Sequence, residues 1–524
     1  MPLNFSRAPL LAALLGIASC AQAPAQPSQI ETFDTIVDDV VQRYHLPGIA
    51  LGVIQDGKVI YKRTAGELSA GSGQQVNADT LFKIASNSKA MTTGVLARLV
   101  DAGKLKWDDP VTKYLPQFRM YDAWVTQNMQ VRDLLIHNSG LREGAGDLML
   151  WPEPNQFTRA DIIAGLAHLM PQHSFRSRYA YDNLMYVVAG EVAAAAGGAS
   201  YEDLVRRELF EPLGMSRCQA GAFNREAVGN VAQPHMRQYN GNVVIRADEA
   251  NVPVSTSAAA GGIRCSLNDM LTWMQLWLDA DLESQQGDVW LSKEQRTAVW
   301  SAHTPMPLSR RQREWDGSRF NAYGYGWRVS DVDGVLRVAH TGTLAGMFSA
   351  VNLFPERNAG FVFLINGDGS DARAVLNTVL AKYLTDPDRA RAVTWYAQSL
   401  ESERAREPAE NRAHDTSSRQ AVTPGNMTQW LGVYRDPWFG DVSICAREST
   451  VGFVAAKSPR MAGRIMQVGE RRLVDWDDDS IDAEPWLEFS SAQPATLQLS
   501  KVDPDADFSY DYDDLAFTRI RDCP

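Results

Sequence analysis

Cysteine is scarce in this chain: five among 524 residues, with no Cys-x-x-Cys pair, so neither a zinc ribbon nor a thioredoxin-type redox site is indicated. The eight histidines include no His-Glu-x-x-His, which leaves zinc-dependent hydrolysis without support, and no other motif points to a cofactor. Cationic surplus is also missing. Lys and Arg number 51 against 63 Asp and Glu, a net charge of −12, which speaks against nucleic acid as a partner. Past the N-terminus no run is apolar enough to span a bilayer, and no internal repeat is visible. What is present is globular in kind: 45% apolar residues with 14 Trp, 16 Tyr and 18 Phe. The length exceeds what one core supports, so two or more domains are expected.

Residues 1–27 read as a signal peptide and tether. Arg7 precedes the apolar stretch from Ala8 to Ala18, too short for a membrane span and long enough for secretion. Ile17-Ala18-Ser19-Cys20 resembles the lipobox of bacterial lipoproteins, which implies lipidation at Cys20 and membrane anchoring by that lipid. Ordinary cleavage after Ala21-Gln22-Ala23 is the alternative. Either route exports the protein to the periplasm or envelope. Cys218, Cys265, Cys445 and Cys523 then remain, allowing three pairings; the simplest joins Cys218 to Cys265 and Cys445 to Cys523, against four unpaired buried thiols.

Ile49–Ile54 and Lys58–Tyr61 flank Asp56-Gly57, a β-hairpin signal. From Ser88 to about Ala102 the residues Met91, Val95 and Leu99 keep helical spacing, closed by Gly103. Residues 104–330 alternate helical stretches, such as Leu271 to Leu278, with loops. Strands are predicted at Val335–Val338, Phe348–Phe354 and Gly360–Ile365, then a helix from Ala372 to Leu384. This order predicts an α+β domain over 28–384: an antiparallel sheet sharing strands from both ends, flanked by helices, with a helical subdomain. Residues 385–425, with a helix at Ala390–Glu403, read as a linker. Short strands at Val442–Ala446, Leu473–Trp476, Trp486–Phe489 and Leu515–Ile520 predict an all-β barrel or sandwich over 426–524.

Three fragments carry chemistry. Ser86-Asn87-Ser88-Lys89 opens the helix from Ser88, so hydroxyl and amine share one face a turn apart, and Lys89 is the only lysine with a serine three positions before it. Ser86 is therefore a candidate nucleophile. Tyr181-Asp182-Asn183 is the only Tyr-x-Asn; Tyr181 can move a proton, and Asn183 can orient Lys89 while donating to a substrate carbonyl. Taken alone, Tyr181 reads as a packing residue. His340-Thr341-Gly342-Thr343 ends a predicted strand, where glycine admits close approach and the amides of Thr343 and Ser86 can hold an oxyanion. Taken alone, His340 reads as a polar strand-end residue.

Together these fragments resemble the active-site set of the serine β-lactamase and penicillin-binding-protein-like hydrolases. Trp107–Pro116, Val131–Leu141, Glu211–Met215 and Ala260–Ile263 extend the resemblance over about 30 to 384. The branch is that of class C β-lactamases, D-Ala-D-Ala carboxypeptidases, D-aminopeptidases and esterases. The last domain is similar to the lipocalin-like domain of some D-amino-acid-specific peptidases. The resemblance implies that Ser86 is acylated, that Lys89 and Tyr181 handle its proton, that Asn183, His340, Thr341, Gly342 and Thr343 line the substrate and oxyanion positions, and that no metal takes part. Expected partners are small peptide, amide or ester substrates, with a homo-oligomer through the C-terminal domain. The expected activity is that of a peptidase on D-amino-acid-containing or small peptides, against a carboxylesterase, a weak β-lactamase or a non-catalytic cell-wall-peptide sensor.

Two departures bear on substrate. His340 stands where many relatives carry lysine, so a carboxylate beside the scissile bond gains less attraction, favouring peptidase or esterase over β-lactamase. Asp182 adds a charge that either favours an amine-bearing substrate or points to solvent. Asp503-Pro504-Asp505-Ala506-Asp507 with Asp514 resembles a calcium loop only faintly, because Phe508 stands where glycine is needed; it reads as an acidic surface turn. His137 and His173 read as structural.

Overall fold

The computed structural model describes residues 29–279, 289–406, 413–481 and 483–524. The leader and Cys20 lie outside them. Among the described residues no helix is long and apolar enough to cross a membrane.

One eight-stranded antiparallel sheet organises the first domain. Its strands are β1 (Gly48–Gln55), β2 (Lys58–Gly66), β3 (Thr304–Pro305), β4 (Asn321–Tyr323), β5 (Arg328–Val332), β6 (Val335–Leu344), β7 (Met347–Phe354) and β8 (Ala359–Ile365). The order is β2-β1-β8-β7-β6-β5-β4-β3, so the first hairpin joins the last strand, as the sequence predicts. The hairpin turns on Asp56 and Gly57, both at positive φ, which suits the right-handed twist of the strands.

Strand alternation divides the core. Ile49, Leu51 and Val53 lie opposite Ile365, Phe363 and Phe361 and share one face. That face packs on α1 (Gln29–Tyr44) through Phe33, Ile36, Val37 and Val40. On the other face, Ala50, Ile54, Val362 and Leu364 meet the helical middle, which contains α2 (Ser88–Asp101), α3 (Leu184–Gly197) and α4 (Leu267–Leu278). Gly52 marks a close helix approach: a Cβ there would stand 3.0 Å from Leu271. α5 (Ser370–Thr385) joins α1, and α6 (Val393–Ala405) follows; the segment read as a linker thus carries a helix that buries Val393, Tyr396 and Leu400 in the same core.

The second domain is built on β9 (Gly432–Asp436), β10 (Gly440–Arg447), β11 (Thr450–Ala455), β12 (Ala462–Val468), β13 (Arg471–Trp476), β14 (Pro485–Phe489), β15 (Thr496–Lys501) and β16 (Ala516–Arg521). Each pairs with the next, and β16 returns to β9, closing an up-and-down barrel without free edges. Cys445 is bonded to Cys523 across its seam, and Cys218 to Cys265 in the first domain.

The barrel sits against the helical middle. Phe439 packs on Phe157 (5.7 Å between centroids), Lys457 Nζ donates to Asp161 at 2.8 Å, and Arg460 donates to the Glu153 carbonyl at 2.6 Å. In the loop between β15 and β16, Asp505 and Asp507 are exposed, in keeping with an acidic surface turn, while the residues after them reach the helical middle. Asp511 is buried and accepts from the Gly146 amide at 2.8 Å, while Phe508 meets Tyr181 edge-on at 5.6 Å.

Candidate active site

Ser86 occupies a single 3₁₀ turn, Ala85–Asn87, directly before α2, with Ala85 in the left-handed region at φ 49°. Ser349 on β7 pins this turn: its hydroxyl donates to the Ile84 carbonyl at 2.7 Å and accepts from Asn87 at 2.8 Å. Gly342 explains itself by the same contact. A Cβ at that position would stand 2.2 Å from the Ile84 oxygen, so only glycine lets β6 lie against the turn.

Lys89 is fully buried. Its Nζ lies 2.7 Å from Asn183 Oδ1, 2.8 Å from the Ala260 carbonyl and 3.2 Å from Ser86 Oγ. Burial pushes its pKa down to about 7, reinforced by Arg328 and opposed by Asp147 and Asp182. An amine that gives two protons to Asn183 and Ala260 directs its lone pair at the Ser86 hydroxyl.

Tyr181 is buried beside this pair, with its ring 4.8 Å from Lys89 Nζ and its centroid 4.1 Å from that of His137, the two planes tilted by 32°. Burial raises its phenol well above the usual value, against the pull of Arg328 and Ser86. It is therefore neutral, whereas proximity to a charged lysine alone favours the phenolate. Asp182 corrects both sequence readings. It is fully buried, accepts from Ser139 at 2.8 Å and from the Met185 amide at 3.3 Å, and burial raises its pKa to about 6. Its own amide donates to His137 Nδ1 at 3.0 Å, so His137 and Asp182 together shape the shelf under Tyr181.

Strand β6 runs on to Leu344 and so contains His340–Thr343 instead of ending before them. β5 pairs with it only as far as Ala339, which leaves the later residues open on that side. Thr341 and Thr343 line a cleft of ≈ 1150 Å³ together with Ser86, Tyr181 and Asn183. His340 is fully buried and acts as support: its Nδ1 lies 2.8 Å from the Thr341 carbonyl and its Nε2 2.8 Å from the Tyr323 hydroxyl. Burial keeps it neutral.

Positive charge comes from two residues that the motifs do not contain. Arg328, at the start of β5, donates to Thr341 Oγ1 at 3.1 Å and lies 5.8 Å from the Tyr181 ring centroid. Arg373, on α5, donates to the Gly342 carbonyl at 2.7 Å and Thr343 Oγ1 at 2.6 Å. Among the described residues neither forms an ion pair with a carboxylate. Two guanidinium groups thus flank the strand that carries the neutral His340. Asp147 is equally unannounced in the sequence: fully buried, it accepts from Asn183 Nδ2 at 2.7 Å and from Ser509 of the barrel loop at 2.8 Å. No spacing rule links residues 328, 373, 147 and 509 to Ser86; only the fold brings them together. Among the described residues no group of acidic, histidine and cysteine side chains could hold a metal.

The Beta-lactamase family profile matches residues 33–385. The chain is 28% identical over 347 residues to "Penicillin-binding protein 4" of Amycolatopsis lactamdurans, covering 64% of this chain and 84% of that protein. It is 26% identical over 375 residues to the "D-alanyl-D-alanine-carboxypeptidase/endopeptidase AmpH" of Escherichia coli K12, covering 68% and 90%. With "Unguisins hydrolase ungD'" of Aspergillus campestris it shares 26% over 369 residues, 68% of this chain, and spans only 65% of that relative's length. In fold it matches the octameric penicillin-binding protein homologue from Pyrococcus abyssi, with a TM-score of 0.56 at 19% identity, covering 94% of this chain and all of the other. The match reaches across the barrel as well as the sheet. A profile that spans the sheet and the helical middle, with a hydrolase and a carboxypeptidase among the relatives, places this chain in the β-lactamase family as a serine hydrolase.

Proposed function

We propose that the protein is an exported serine peptidase that cleaves small peptides at an amide bond next to a free terminal carboxylate, through an acyl-enzyme on Ser86. The observation that carries this reading is the pair Arg328 and Arg373, two guanidinium groups on either side of the Thr341–Thr343 strand that form no direct ion pair among the described residues, with Glu143 and Asp507 acting on them only from further off. An anion in the cleft is what such a pair attracts. A D-configured terminal residue is in keeping with the carboxypeptidase named among the relatives.

In this mechanism Lys89 in its amine form takes the Ser86 proton as Oγ attacks the carbonyl carbon. The Ser86 and Thr343 amides receive the oxyanion. Tyr181, neutral and beside both groups, passes its proton to the departing amine and takes the Lys89 proton in its place; Lys89, an amine again, then takes a proton from the water that attacks the acyl carbon, and that proton returns to Ser86 Oγ as the acid leaves. Two disulfides suit an oxidising compartment and so support export, with Cys20 as the proposed lipid site. A homo-oligomer through the barrel has a counterpart in the octamer named for the archaeal neighbour, and mass in solution tests it.

A panel of D- and L-peptides, their C-terminal amides, β-lactams and p-nitrophenyl esters tests the reading. The expected result is turnover of free-carboxylate peptides above their amides, lost in Ser86→Ala and weakened through KM in Arg328→Gln. Equal rates on acid and amide, or an active Ser86→Ala variant, would overturn it. A pure sensor would show no covalent adduct by intact mass.

A further inference from the structure

We propose that Ser509 and Asp147 are positioning residues for the Ser86–Lys89 pair, so that the C-terminal barrel is a working part of the active site. The inference rests on the acyl-enzyme reading above and deepens it.

The bonds run without a break from the barrel to the nucleophile. Ser509 Oγ and Asn183 Nδ2 both donate to the same oxygen, Asp147 Oδ2, at 2.8 and 2.7 Å. Asn183 then offers Oδ1 to Lys89 Nζ at 2.7 Å, and Lys89 reaches Ser86 Oγ at 3.2 Å. A primary amide has nearly the same shape in both orientations, so its neighbours decide which end faces which. Lys89 needs an acceptor: with an oxygen on that side, its lone pair stays free for the serine. An ionised Asp147 enforces this, because a carboxylate only accepts and thus holds the Asn183 amino group to itself.

That arrangement is delicate. Asp147 is fully buried, and burial, with the Asp182 charge beside it, pushes its pKa well above the usual carboxylate value; the Asn183 and Ser509 donors and the Lys89 charge oppose that. Its Oδ1 has no hydrogen-bond partner among the described residues. Were it protonated, the carboxyl would become a donor, and Asn183 could turn its oxygen toward it and its amino group toward Lys89. Ser509 supplies one of the two side-chain donors that prevent this. The loop that carries it is held where it must be: Gly146, next to Asp147, donates its amide to Asp511 at 2.8 Å, and Gly144 at φ 74° lies so near Phe508 that a Cβ would meet its carbonyl oxygen at 2.5 Å.

The test uses the full-length protein and p-nitrophenyl acetate as acylating probe, comparing Ser509→Ala, Ser509→Thr, Asp147→Asn and Ser86→Ala. Ser509→Ala is expected to lower kcat about tenfold, the worth of one hydrogen bond to a charged group, with a smaller change in KM. Its acid limb moves to lower pH, because a neutralised Asp147 no longer favours the Lys89 ammonium. Asp147→Asn shifts the limb the same way, and Ser509→Thr, which keeps the hydroxyl, restores both kcat and the limb. A Ser509→Ala variant with the wild-type kcat and limb would overturn the proposal. So would equal impairment of Ser509→Ala and Ser509→Thr, which would mark a loop-packing role. Turnover retained by Ser86→Ala would instead remove the acyl-enzyme reading itself.

Discussion

Lys89 shows how much of a side chain's chemistry comes from its surroundings. One helical turn of spacing puts its amine by Ser86, but burial, not spacing, brings its pKa to about 7. The amine form is then the reactive one, so kcat/KM should climb as pH rises through about 7 and level off above it. A pH–rate profile with no acid limb in that range would contradict this. Gly342 makes the second residue-scale prediction. Gly342→Ala places a methyl 2.2 Å from the Ile84 oxygen and must push β6 off the nucleophile turn. The expected outcome is a loss of about 1–3 kcal/mol of stability by denaturant titration, with activity falling further than stability alone explains. At this scale the three motifs announced Ser86, Lys89, Tyr181 and Thr343 as neighbours-to-be. Arg328, Arg373 and Asp147 were silent, because an arginine opening a strand or an aspartate in a loop has no local sign of what it will face.

Elements were legible where one face of the chain is uniformly apolar. The hairpin at Asp56-Gly57, the helix after Ser88 and the helix through Leu271 all follow from local pattern, with ends displaced by a few residues. β6 was predicted too short, since His340-Thr341-Gly342-Thr343 lacks apolar alternation; pairing with β7 holds it extended through Leu344. The segment read as a linker looked polar because α6 buries only one side, Val393, Tyr396 and Leu400, against α1 and α5. Packing of α4 on the sheet yields a prediction here. Leu271 lies over Gly52 and is buried, so Leu271→Ala should destabilise the first domain by about 2–5 kcal/mol, read by chemical denaturation. A loss under 1 kcal/mol would mean that the helix closes the gap.

At the scale of the whole molecule, two domains are joined by side chains as much as by sequence. Arg460 spans the junction, donating to the Glu153 carbonyl on one side and to Asp478 and Ser480 on the other. Replacing it by alanine is expected to split one calorimetric transition into two as the barrel melts apart from its partner. The bond from Cys445 to Cys523 closes a separation of 78 residues, worth about 4 kcal/mol if it acts through the entropy of the unfolded chain. Added to Arg460→Ala, Cys523→Ser should therefore lower the barrel's transition while leaving that of the first domain nearly unchanged. The sequence indicated a β-domain but not its docking, because the loop from Asp503 to Asp514 is acidic and looks solvated; its contacts with Gly146 and Tyr181 are visible only after folding.

That loop also sets a schedule. A chain made from its N-terminus completes Ser86, Lys89 and Tyr181 long before Phe508 and Ser509 are synthesised, and domains fold in the order in which they emerge. The reactive serine thus waits for the loop before the strand that closes the barrel, and a product cut short before that loop carries the nucleophile without this wall.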